Sequence, residues 1–124
     1  PKIWLDSLEH RYIASGSTPT VITDCRFRSE LAFIKQMGGF TIRVKRGEDP
    51  YWTELAKQAQ DGDAFAEQQL ADIGIHASEW DHTDVPVDFI IENNGTLEQL
   101  TDKVNSVAKV LRNVSKEKKA TQTF

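Results

Sequence analysis

Cysteine is almost missing from this chain: Cys25 stands alone among 124 residues. That excludes an internal disulfide and suits a reducing compartment. Long apolar runs are missing as well. None approaches the length needed to cross a bilayer, and the N-terminus carries no signal-peptide pattern, so no membrane association is expected and the expected location is cytoplasmic. There is no basic balance either. The net charge is −4, and Lys and Arg cluster only near the C-terminus, at Lys116, Lys118 and Lys119. A duplex-binding protein normally shows a basic face, so a nucleic-acid polymer is not an expected partner. None of the seven glycines precedes a lysine, which rules out the G-x-x-x-x-G-K-[ST] phosphate loop within these residues, and G-x-G-x-x-G is absent too. The G-x-S-x-G nucleophile elbow is likewise absent.

What remains has room for one domain, with an apolar fraction of 39% that implies a thin core. Trp4, Leu8 and Tyr12 recur at i+4 and predict a helix over residues 2–15, stopped by Gly16. Thr20-Val21-Ile22-Thr23 reads as a short strand closed by Asp24. Residues 28–37 read as a helix ended by Gly38-Gly39, and Phe40 to Val44 as a second strand. Residues 50–73 suggest two short helices broken at Asp61-Gly62-Asp63. Ser78 is expected to cap another short helix. Val87 to Ile91 reads as a third strand, and Asn93-Asn94-Gly95 as a tight turn. Thr96 and Gln99 form a capping-box pair that opens a last helix, whose apolar face runs from Leu97 to Leu111. The tail from Ser115 is charged, then Thr/Gln-rich, and is expected to fray.

Strands alternating with helices imply an α/β domain with a short parallel sheet and flanking helices in three layers. Ligands of such sheets sit at the carboxyl ends of the strands. Those ends would be Asp24-Cys25-Arg26, Lys45-Arg46-Gly47 and Glu92-Asn93-Asn94-Gly95. Asp24 followed by Arg26 and Arg28 offers a carboxylate for a hydrated Mg²⁺ and two planar guanidinium forks for phosphate oxygens. The same residues also fit an Asp that caps the next helix and two solvated arginines. Lys45 and Arg46 suit either a phosphate contact or a blunted strand end. His76, Ser78, Glu79, His82 and Asp84 make a polar cluster, but its spacing is not that of a zinc site, and no metal ligand set is assigned.

Taken together and in this order, the stretches Val21 to Glu30, Gly38 to Val44, His76 to Glu79 and Asp88 to Leu97 resemble the phage-type deoxynucleoside monophosphate kinases. More distantly they resemble the animal phosphomevalonate kinases. The likeness spans Trp4 to Leu111. It implies a P-loop kinase fold and ATP-dependent phosphoryl transfer to a deoxynucleoside monophosphate with Mg²⁺. By position, Asp24 and Arg26 would be catalytic, with Asp24 near the metal and phosphates and Arg26 on the acceptor phosphate. Arg26, Arg28, Ser78 and Glu79 would bind substrate, Arg46 and Asn93 would bind the nucleotide, and residues 46–75 would be the lid.

The chain departs from that pattern in places. Arg28-Ser29 stands where the family has Pro-Asn, and Lys57 is the one cationic Lys or Arg between residues 50 and 75. The family's first strand and P-loop would precede Pro1, so the expectation is the C-terminal two-thirds of such a kinase. That would be one domain over 1–114 with a flexible tail over 115–124, inactive on its own. The open sheet edge left by the first strand is expected to support a homo-oligomer. The alternative reading is a non-catalytic nucleotide-binding or dimerisation module.

Overall fold

The computed structural model describes residues 2–16, 19–113 and 121–124, with Lys2 and Ile3 described by backbone alone. They hold six helices and three short strands: α1 (Lys2–Ala14), α2 (Arg28–Gln36), β1 (Ile42–Lys45), α3 (Thr53–Gln60), α4 (Ala64–Asp72), α5 (Ala77–Trp80), β2 (Phe89–Glu92), α6 (Leu97–Asn113) and β3 (Gln122–Thr123). The protein is therefore mixed α/β, with a small parallel sheet. Among the described residues no helix is long and apolar enough to cross a membrane. The chain divides into two units, Pro1–Gly38 with Trp52–Val85 and Gly39–Tyr51 with Pro86–Phe124.

The first unit is helical. Its core forms where α3 and α4 fold back on each other. Asp61-Gly62-Asp63 makes this turn because Gly62 takes a positive φ of 95°, which a side chain would resist. Asp63 then caps α4, its Oδ1 accepting the backbone N–H of Phe65 (3.0 Å) and Ala66 (3.2 Å). Ala56, Ala59 and Ala66 bring the backbones close, Leu70 fills the space between them, and Trp80 closes the cluster with Trp52, Leu55 and Ile75 packed around it. Gln60 fastens the following turn: its Nε2 donates to the Asp81 carbonyl (2.6 Å) and its Oε1 accepts from Asp84 N–H (3.1 Å).

The second unit is the sheet, ordered β1-β2-β3 with both pairings parallel. Ile42 lies beside Phe89 and Val44 beside Ile91. Side chains alternate along a strand, so these four share one face. Phe89 and Ile91 are buried there against Val107 of α6, with Leu100, Val110, Leu111 and Phe124 around them. Thr41, buried just before β1, is locked to Asp88 just before β2. Asp88 Oδ2 accepts both Thr41 N–H (2.8 Å) and Thr41 Oγ1–H (3.2 Å). These two hydrogen bonds join the residues just before the paired strands, in line with the register of β1 on β2. The Thr96–Gln99 capping box is formed at the start of α6, with each side chain accepting the other's backbone N–H (3.2 and 2.9 Å).

Three sequence expectations are corrected. Thr20 to Thr23 is not a strand: Val21 is 87% exposed and the segment runs in irregular backbone. A two-residue apolar run gives a strand nothing to bury, and the Asp24–Arg26 stretch consequently does not leave a strand end. The third strand comes instead from the far terminus, within the expected tail. Residues 114–120, with the Lys116, Lys118 and Lys119 cluster, lie outside the described residues, but Gln122–Thr123 pairs with Phe89–Ile90. Finally, Ser78 lies inside α5, whose cap is His76.

Candidate functional site

The residues singled out by sequence fall into two groups, one in each unit. In the first, Asp24, Arg26 and Arg28 occupy an irregular loop that leads into α2. Glu30 shapes the loop, its Oε2 accepting the backbone N–H of Arg26 (2.6 Å) and Phe27 (2.9 Å). A bond from Arg28 N–H to Asp81 Oδ2 at 2.9 Å, across 53 residues of sequence, ties the loop to a distant turn. Asp81 directly follows α5, the helix that carries Ser78 and Glu79, so this bond ties the backbone at Arg28 to the end of that helix. Sequence reasoning missed Asp81. Nothing in its neighbourhood marks a partner so far away.

Arg26 Nε meets Asp24 Oδ1 at 2.6 Å, with both side chains mostly exposed, 60% and 74%. An exposed pair of this kind is worth roughly 0–1 kcal/mol, so an arriving phosphate can take the guanidinium from Asp24. Between them sits Cys25, whose thiol is pushed up to about 11, first by burial and then by the carboxylates of Glu30 and Asp24. At neutral pH it is a protonated thiol and not a nucleophile. Ser78 and Glu79 act locally. Ser78 N–H donates to His76 Nδ1 (3.1 Å), Ser78 Oγ lies 2.8 Å from the same nitrogen, and Glu79 Oε2 accepts His76 N–H (2.9 Å). The carboxylate therefore holds the His76 backbone and not the ring, which Ser78 engages, so the trio is a helix cap and not a Ser–His–acid relay. Beside it, between the end of α4 and α5, lies an open cleft of about 360 Å³ walled by Ile75 and Trp80 and rimmed by Glu67 and His76.

The second group lies at the carboxyl end of the sheet. Asn93 N–H donates to the Lys45 carbonyl (2.7 Å), which carries the β1–β2 pairing one step past the strands. Asn94 Oδ1 accepts Gly47 N–H (2.7 Å), and Gly47 has φ 73°, so the two strand-end loops are stitched together. Lys103 reaches back from α6 to the Glu92 carbonyl (2.7 Å), and Lys45 pairs with Asp49 (3.1 Å). Arg46 is exposed beside them. Asn94 was named from the sequence as part of this strand-end turn, whereas Lys103 had not been singled out.

Mg²⁺ prefers near-octahedral oxygen ligation. Among the described residues no group of three or more His, Cys, Asp or Glu is placed to hold a metal ion. Asp24, the carboxylate the kinase resemblance assigns to the metal, is engaged by Arg26. Compared with family models, curated proteins and solved structures, the chain matches none of them.

Proposed function

We infer that this chain binds a deoxynucleoside monophosphate through the Asp24–Arg28 loop, as the acceptor-side part of a P-loop, three-layer kinase that transfers the ATP γ-phosphoryl group. Binding, not transfer, is the property assigned to the residues described. The carrying observation is the Arg28–Asp81 bond, which ties the loop that bears both arginines to the residue following the helix of Ser78 and Glu79. Arg26 supplies a planar fork for the acceptor phosphate, and its hold on Asp24 is weak enough to exchange. The resemblance of four ordered sequence stretches supports the choice of nucleotide over other phosphate esters.

Calorimetric titration of the chain with dTMP, dGMP and ATP, each with Mg²⁺, tests this reading. A monophosphate should bind, and Arg26→Ala should weaken it by roughly tenfold or more, the loss of a charge-assisted hydrogen bond. Absence of heat with both monophosphates, from chain shown folded by circular dichroism, would end the proposal.

A further inference from the structure

Among the described residues, the open side of β1 combines exposed apolar side chains with a run of positive charge. In the order β1-β2-β3, β1 has a strand partner on one side alone among the described residues. On the other side the backbone groups can be assigned. The carbonyls of Thr41 and Lys45 accept bonds from the β2 chain, at Asp88 and Phe89 for Thr41 and at Asn93 for Lys45. In a parallel ladder a residue turns both its N–H and its C=O to the same neighbour, and successive residues alternate. The N–H and C=O of Ile42 and Val44 therefore face the open edge.

The side chains follow the same alternation. Ile42 and Val44 are 45% and 59% exposed, although they continue the face on which Phe89 and Ile91 are buried under α6. Arg43 and Lys45 stand on the other face, and Arg46 follows. A strand laid along this edge would place its residues alternately beside an aliphatic side chain and beside a cation. Lys45 already holds Asp49, an exposed pair that a second carboxylate can share or displace.

We propose that the β1 edge is a docking site for an extended peptide segment in which acidic and aliphatic residues alternate, added to the sheet as a further strand. Main-chain bonds to Ile42 and Val44 would supply the affinity, and the alternation would supply the specificity. A second copy of β1 is the poorer occupant. An antiparallel pair centred on Arg43 sets that residue against itself, and one centred on Val44 sets Arg43 against Lys45. Like charges directly opposite are destabilising. Basic residues on an edge are also the usual guard against self-pairing.

The test uses the full chain and a fluorescein-labelled, end-blocked hexapeptide alternating glutamate and valine, with a lysine–valine peptide as control. Fluorescence anisotropy should show saturable binding of the glutamate peptide alone, and the amide resonances of Ile42 and Val44 should shift on titration. Val44→Pro removes an outward N–H without touching the bonds to β2, since proline is tolerated on that side of an edge strand. It should abolish binding while circular dichroism stays unchanged. If that variant does not fold, Arg43→Glu keeps the question open to a clear answer, because it should shift preference from the glutamate peptide to the lysine peptide. Equal binding of both peptides, binding that survives Val44→Pro in a folded chain, or a preference unmoved by Arg43→Glu would overturn the proposal. So would sedimentation as a dimer that Val44→Pro renders monomeric, which would give the edge to a second copy.

Discussion

The two units of this chain are held together by different distances along the sequence. In the helical unit, Ala56, Ala59, Ala66, Leu70 and Trp80 all come from one stretch of 25 residues, and the turn between α3 and α4 is closed by the Asp63 next to it. In the sheet unit the strand pairings join residues far apart: Thr41 to Asp88 across 47 positions, and β2 to a strand at the other side of α6. Charge separates them too. Of the Asp, Glu, Lys and Arg residues between Trp52 and Val85 all but Lys57 are acidic, whereas Arg43, Lys45 and Arg46 line the open edge of the sheet. Local contacts close at little entropic cost and remote ones at more. The helical unit is therefore legible from a short window of sequence, while the sheet unit depends on a few bonds that each fix a whole strand.

The largest expected effect comes from the helical core. Leu70 is fully buried, and Leu70→Ala should cost about 3 kcal/mol through the lost transfer energy and the cavity left behind. Trp4, Trp52 and Trp80 all lie in the first unit, so tryptophan fluorescence during urea unfolding reports on it selectively. Its midpoint should fall, and amide exchange at Phe89 to Glu92 should change less. Equal loss of protection at β2 would break the comparison, because the two cores would then unfold as one.

A smaller effect should appear in the sheet. Phe124 packs its ring 6.2 Å from Phe89, donates its N–H to the Ile90 carbonyl (2.8 Å) and accepts Glu92 N–H (2.9 Å). Phe124→Ala keeps the backbone bonds but removes a partly buried ring, a loss of about 2 kcal/mol when scaled down from a fully buried phenylalanine. Hydrogen exchange at Phe89, Ile90 and Ile91 should speed up, with the tryptophan transition in place. No change at β2 would show that the last four residues add nothing to the sheet.

These particulars also show what sequence could and could not reveal. The α3–α4 break was readable because Asp61-Gly62-Asp63 carries its own turn and its own cap, and α6 because Thr96 and Gln99 cap it and its apolar residues recur at helical spacing. The strand expected at Thr20 to Thr23 rested on propensity alone. Propensity in a strand is mostly a fit to neighbours, and Val21 has none to fit. Conversely β3 has a sequence of ordinary tail composition, and pairing with β2 is what makes it a strand. The candidate site divides the same way. Asp24, Arg26 and Arg28 were visible as residue types, but the bond from Arg28 to Asp81 that gives them a place was not.

Cys25 offers the gentlest probe, and one confined to that loop. Its thiol, pushed from an ordinary 9.0 up to about 11, has three causes in order: burial, then Glu30, then Asp24. Folding thus favours the protonated thiol. That contribution to stability is fully present below pH 9 and is lost as pH rises through about 11, so stability near neutrality should be indifferent to it. Reactivity should not be. Thiolate is the species that alkylates, and a shift of this size leaves roughly a hundredfold less of it in the native chain than in the unfolded one at pH 8. Iodoacetamide should therefore modify Cys25 far more slowly in buffer than in urea, with the gap narrowing as pH approaches 11. Asp24→Asn should quicken the native reaction modestly, since it removes the last of the three causes and leaves burial in place. Equal rates in buffer and urea at pH 8 would mean that the loop does not shelter its thiol. The Asp24–Arg28 segment would then lack the fixed shape that the proposed phosphate contact requires, even with the helices around it intact.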